Sequence, residues 1–171
     1  MKQIVESAHL LIKNEKGQVL LVQRNDVPVW VIPGGKLNKR EKPKNAAERE
    51  LFEETGMSAN ANELVCILHT KNDTKKYLYT GKIKGGKIRK NDEARQIAWV
   101  FPHDLPSPMT LYHTRLIKRY ASFKGKTENT VEEINIKKEI VNQAIMPSQF
   151  LLLLAHYIKN HLWGSKSFKI R

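Results

Sequence analysis

The chain of 171 residues is short of cysteine, of acidic groups and of long apolar runs, and each shortage excludes something. Its one cysteine, Cys66, forbids an internal disulfide. Set in the apolar-rich ELVCILH, it reads as a buried structural thiol in a reducing compartment, so a cytoplasmic location is expected. The longest apolar run, Phe150 to Ala155, falls far below the roughly 20 residues that cross a bilayer. No transmembrane helix is expected. Glu6 and His9 interrupt the first apolar residues, and no small-residue cleavage site follows them, so export is not expected either. Acids number 17 against 30 lysines and arginines, a formal charge of +13. That balance suits a polyanionic partner, and equally an inert lysine-rich surface.

Against this basic background, AAERELFEETGM, residues 46 to 57, concentrates four glutamates in seven positions. Its surroundings give it a place in the fold. SAHLLIK and QVLLVQR, separated by the turn-like NEKG, predict two strands joined as a hairpin, and VPVWVIP a third extended piece ending at Pro33-Gly34-Gly35. A helix is expected from about Pro43 to Thr55, because proline suits a first turn and Gly56 suits the left-handed position after the last. ELVCILHTK, KKYLYTGKIK and ARQIAWVF predict further strands, with Gly85-Gly86 as a turn, and LYHTRLIKRYASF a second helix. From Lys124 the texture becomes polar, and another helical stretch spans about Ser148 to Leu162. The expected division is a mixed α/β domain over 1–125 and a helical extension over 126–171 that packs on the domain or at an oligomer interface.

On the helix, Glu53 and Glu54 fall within an arc of about 100° that includes Glu50, so three carboxylates share a face. Two of them sit in the last turn, where the helix dipole disfavours negative charge. A local rule broken without local benefit points to a bound cation or to function. The ordinary alternative is a solvated acidic face, with Arg49 four residues before Glu53 and Lys44 four before Glu48 as salt bridges. Carboxylate oxygens are hard ligands suited to Mg²⁺ or Mn²⁺, and the Gly34-Gly35 turn upstream lets a main-chain carbonyl approach such an ion.

The spacing from Gly35 through Glu41 to Arg49-Glu50-Leu51-Phe52-Glu53-Glu54-Thr55-Gly56-Met57 resembles the complete Nudix box, with no required position departing. The resemblance implies an α/β/α sandwich around a mixed β-sheet. It implies hydrolysis of a nucleoside diphosphate linked to another group, such as a nucleoside triphosphate, a nucleotide sugar or a dinucleoside polyphosphate. Glu50, Glu53 and Glu54 would be side-chain ligands of Mg²⁺ or Mn²⁺ and Gly35 a carbonyl ligand. Arg49 would orient the carboxylates, while Glu41 and Gly56 would support the loop and helix end. A carboxylate must take the proton of the attacking water, and Glu53 is preferred to Glu93 for that role. Arg24, Trp30 and Tyr77 are the substrate-binding candidates.

Substrate markers known among Nudix proteins are absent: Asn72 stands where an ADP-ribose enzyme has proline, and Tyr77 lies outside the usual place of a dinucleoside-polyphosphate tyrosine. GKIKGGK, residues 81 to 87, begins like a phosphate-binding loop, but Ile88 replaces the required Ser or Thr. Lys71, Lys75, Lys76, Lys82, Lys84, Lys87, Arg89 and Lys90 form a basic hairpin that can guide phosphates or RNA, or merely face solvent. The histidines show no metal-ligand spacing and most of them are expected at the surface. Beside a small-nucleotide hydrolase stand two alternatives: an RNA 5′-pyrophosphohydrolase, and a sensor that binds a nucleotide without turnover. The apolar C-terminal helix offers a surface for packing on the domain first and for a homodimer second.

Overall fold

The computed structural model describes residues 5–69, 74–89, 92–121 and 128–130. In chain order the elements are β1 (Val5–Ile12), β2 (Val19–Arg24), β3 (Trp30–Val31), β4 (Gly34–Lys36), α1 (Pro43–Thr55), β5 (Met57–His69), β6 (Thr74–Gly86), β7 (Ala94–Val100), α2 (Leu111–Ala121) and β8 (Glu128–Thr130).

The expected β1–β2 hairpin does not form. The Asn14 side chain folds the connection by accepting the N–H groups of Lys16 and Gln18 at 3.1 and 2.9 Å, but only Lys13 and Val19 bridge across it. Beyond that bridge the strands part. β1 joins a five-stranded sheet of order β4-β1-β6-β5-β8, and β2 lies at the centre of a three-stranded sheet of order β3-β2-β7. The larger sheet is mixed, with β1–β6 and β5–β8 parallel and β1–β4 and β5–β6 antiparallel.

Strand β1 can serve such a sheet because both of its faces are apolar, as a fully covered strand requires. Leu10 and Ile12 pack with Ala46, Ala47 and Leu51 of α1, whereas Leu11 packs with Tyr112, Leu116 and Ile117 of α2. The helices therefore cover opposite sides, giving the expected α/β/α layering.

One further expectation needs correction. Gly85 and Gly86 are not a turn; they continue β6 and pair with Ser58 and Met57. Gly86 holds φ at 88°, and a Cβ on it would overlap the Gly56 carbonyl, so glycine here permits close passage against the end of α1. β8 pairs in parallel with Cys66–Leu68 at the edge of the larger sheet. The helix expected over 148–162 lies outside the described residues.

The box helix has the expected limits. Pro43 occupies its first turn, and Gly56, at φ 77°, closes it by donating its N–H to Phe52 O at 2.8 Å.

Candidate active site

Helix α1 is anchored to the sheet by polar contacts as much as by burial. Glu48 accepts the Ala61 N–H at 2.8 Å, and Arg49 donates to Lys36 O at 3.0 Å. At the C-terminal end Thr55 Oγ1 donates to Leu51 O at 2.6 Å, while Thr55 O accepts the Arg89 N–H at 3.0 Å. The bonds that leave the helix, to Ala61, Lys36 and Arg89, fix its rotation about its axis, and hence where its carboxylates point.

Arg49 links much of the box. Its guanidinium grips both oxygens of Glu41 at 2.9 Å, and its Nη1 reaches Glu50 and Glu53 at 2.8 Å each. The paired guanidinium holds the Glu41 carboxyl below its ordinary pKa, and Glu41 in turn accepts the Asn38 N–H at 2.8 Å, closing the loop before the helix.

The three helix glutamates meet different environments. Glu54 is 7% exposed, and its Oε2 accepts the Gly34 N–H at 2.9 Å. Burial, reinforced by the charge of Glu50, pushes its pKa up to about 8 despite that bond. Burial also raises the Glu50 pKa, partly opposed by Arg49. A Cβ on Gly35 would overlap the Glu50 carboxylate, so the glycine allows that side chain to rest on the turn. Glu53 has a side chain 49% exposed and engaged by Arg49.

Glu50 and Glu54 open onto a cleft of about 620 Å³ lined also by Arg24, Gly34, Gly35, Lys36 and Glu93. Its volume is within the roughly 300 to 1,000 Å³ typical of small-molecule sites. Asn25, Asp26 and Asp92 complete the lining, and the sequence carried no signal that singled them out. Arg24 is clamped by Asp26, with Nε–Oδ1 at 2.8 Å and Nη2–Oδ2 at 2.5 Å, and Asn25 N donates to Glu93 O at 3.0 Å.

The sequence-predicted residues thus divide. Gly35, Glu50, Glu54, Glu93 and Arg24 come together at the cleft, Arg49 and Glu41 brace it, and Glu53 lies beside Glu50 without lining it. Trp30 and Tyr77 do not reach it. Trp30 is 7% exposed in the core with Leu21, Ile32 and Tyr112; Tyr77 is 9% exposed, packs with Ala8 and Ala47, and donates its hydroxyl to Glu6 at 2.8 Å. Aromatic bulk was claimed by the core. Two histidines, His9 and His113, are not at the surface: they are buried, 8% and 7% exposed, with rings 5.3 Å apart.

Among the described residues no three Asp, Glu, His or Cys side chains already converge as a metal site. The donor set nevertheless fits a hard divalent cation. Two carboxylates, one largely and one partly desolvated, stand against a glycine turn that leaves room for carbonyl ligation, and Glu54 resists ionisation until a positive charge compensates it.

Solved structures share the fold. The chain is similar to a NUDIX hydrolase from Nitrosomonas europaea, with a TM-score of 0.68 and 15% identity over 78% of this chain and 81% of that one. The NUDIX domain model matches residues 4–120, and the chain belongs to that family of hydrolases, which generally use divalent metal ions. It is 32% identical, over 77% of its length and 85% of the relative's, to a Bacillus subtilis (strain 168) protein named provisionally as an 8-oxo-dGTP diphosphatase. A shorter likeness, 43% identity over 33% of this chain and 36% of the relative, joins it to an RNA pyrophosphohydrolase of Cereibacter sphaeroides (strain ATCC 17029 / ATH 2.4.9). No helix among the described residues is long and apolar enough to cross a membrane.

Proposed function

We propose that this Nudix hydrolase cleaves the pyrophosphate linkage of a nucleoside triphosphate, with Mg²⁺ or Mn²⁺ as cofactor, in the reducing cytoplasm that its buried Cys66 thiol suits. The observation that carries the reading is the pairing of desolvated Glu54 with Glu50 beside the Gly34–Gly35 turn. Glu50, Glu54 and the Gly35 carbonyl would hold the cation, and Glu53 would join them from beside Glu50. Such an ion, when bound, supplies charge neutralisation for the phosphate oxygens.

The chain's own groups do the rest. Arg49 orients Glu50 and Glu53. Arg24, across the cleft, supplies positive charge for a phosphate. Water attacks phosphorus, a new P–O bond forms as the anhydride P–O bond breaks, and the leaving group departs as a phosphate-terminated product. Glu93, which lines the cleft, would take the water's proton, and its position there supports it for that role over Glu53.

The relative named provisionally as an 8-oxo-dGTP diphosphatase supports a purine deoxynucleoside triphosphate as the substrate class. The net charge of +13 and the likeness to an RNA pyrophosphohydrolase favour RNA 5′-triphosphate ends as a second reading. A sensor without turnover is disfavoured because every box glutamate is present. One panel tests all three: dGTP, 8-oxo-dGTP and 5′-triphosphorylated oligonucleotides with Mg²⁺ or Mn²⁺, reading nucleotide products and pyrophosphate or phosphate. Turnover of 8-oxo-dGTP with little on RNA supports the first reading. Salt-dependent cleavage of the oligonucleotide alone transfers the assignment to RNA, and binding without product overturns both.

A further inference from the structure

The turn that presents Gly35 is held from three directions. Leu10 donates its N–H to Pro33 O at 2.9 Å, Glu54 accepts the Gly34 N–H at 2.9 Å, and Ile32 donates its N–H to His113 Nδ1 at 3.2 Å. The first two holds come from β1 and from the box helix. The third comes from α2, which contributes no box residue and lies 81 positions away in the chain.

His113 is itself fixed. Its ring stands edge-on to His9 at 5.3 Å and to Tyr112 at 4.8 Å, and both neighbours are buried. His9 in turn covers the turn from below, since a Cβ on Gly34 would come within 2.5 Å of His9 Nδ1. Ile32 is fully buried, so its N–H has no solvent to fall back on.

We propose that His113 is a positioning residue: by accepting the Ile32 amide it ties the Pro33–Gly35 turn, and with it the Gly35 carbonyl, to α2. The inference rests on the reading of Gly35 as a cation ligand. A ring nitrogen that accepts an N–H carries no proton, so the neutral ring has its proton on Nε2. Burial, with the charges of His9, Lys76 and Arg24 as lesser causes, lowers the His113 pKa well below its ordinary value and keeps that form. An apolar ring of similar size would fill the space but leave the Ile32 N–H without its acceptor. The chain would then shift to find another, three residues before Gly35. The damage would appear at the turn more than in the packing of α2.

The test compares His113→Phe, which keeps a ring and removes the acceptor, with His113→Asn, whose Oδ1 can accept in place of Nδ1, both in the full chain. Mn²⁺ affinity is read by paramagnetic resonance of the free ion, amide exchange over residues 30–36 by mass spectrometry, and kcat and KM with dGTP. In the Phe variant, Mn²⁺ affinity and kcat should each fall about 10-fold, with KM changed less than about 3-fold and exchange at the turn accelerated. The Asn variant should stay within about 3-fold of the parent on every readout.

Parental Mn²⁺ binding and exchange in the Phe variant overturn the proposal, and so does an Asn variant as impaired as the Phe one. His113→Leu replaces the Phe variant if that chain does not fold. If neither apolar variant folds, protection of the Ile32 amide in the Asn variant decides: kept, it supports the inference; lost, it overturns it. The metal and exchange measurements need no substrate, so they stand even where dGTP is not hydrolysed. A parent chain that binds no Mn²⁺ overturns the cation reading together with this inference.

Discussion

The two helices that sandwich the larger sheet are held by different means. α2 is an ordinary amphipathic helix that buries Tyr112, Leu116 and Ile117, while α1 buries two alanines, one leucine and, unusually, Glu54 and Thr55. What α1 lacks in apolar contact it gains in directed bonds, from Glu48 to Ala61, Arg49 to Lys36 and Glu54 to Gly34. Apolar burial sets how firmly a helix sits but leaves small rotations soft. Directed bonds set its angle, which matters when the helix must aim carboxylates. α1 is therefore expected to control activity and the apolar face of α2 stability, with His113, which accepts the Ile32 N–H, the one α2 residue expected to act on rate.

The largest effect expected from this contrast is on rate. Glu50→Gln should lower kcat on the order of 10³- to 10⁴-fold, about 4 to 5.5 kcal/mol of barrier, with an unchanged far-ultraviolet dichroism spectrum. Residual activity near the parent's would remove Glu50 from the chemistry.

Next comes the pH dependence of stability without metal. Glu54 has a folded pKa of about 8 against an ordinary 4.5, so the native state holds a proton that the unfolded chain has lost between those values. Stability is therefore present below about 4.5 and declines as pH rises toward 8, by an amount on the order of a few kcal/mol. Melting in chelator from pH 5 to 9 should show this decline in the parent and a flatter curve in Glu54→Gln. Parallel curves would mean that Glu54 ionises without strain.

On α2, Leu116→Ala should remove about 3 kcal/mol from the unfolding free energy, measured in urea, and leave kcat below the transition within about 2-fold. A large loss of rate there would break the division of labour. The smallest effect is expected for Glu48→Ala, about 1 kcal/mol of stability from the lost Ala61 bond, with a decline in kcat that exceeds that of Leu116→Ala.

Much of the site was legible because its signals are local. Pro43 and Gly56 marked both ends of the box helix, and the helical spacing of Glu50, Glu53 and Glu54 put them on one side. The sequence does not show how far each carboxylate is buried, which depends on where Gly34 meets the helix, so Glu53 and Glu54 looked alike. The hairpin was misread because Leu10, Leu11 and Ile12 form an unbroken apolar run, and such a run does not reveal which strand will lie beside it. Gly85-Gly86 misled for a related reason: a glycine can mark a reversal or a close crossing, and only the position of Gly56 decides. His9 and His113 carried no spacing signal at all, since they meet only after both sheets and α2 are in place.

The parting of β1 and β2 also governs how the chain can assemble. Strand β1 finds its parallel partner at residues 74–81, and β2 finds one of its neighbours at 94–100, so both early strands wait on much later sequence. Such distant pairings are slow to close, and a growing chain released before β7 could complete only part of this framework. A peptide spanning the box alone would then be a poor mimic of the enzyme, because the surroundings that make its glutamates useful are made by sequence on either side of it.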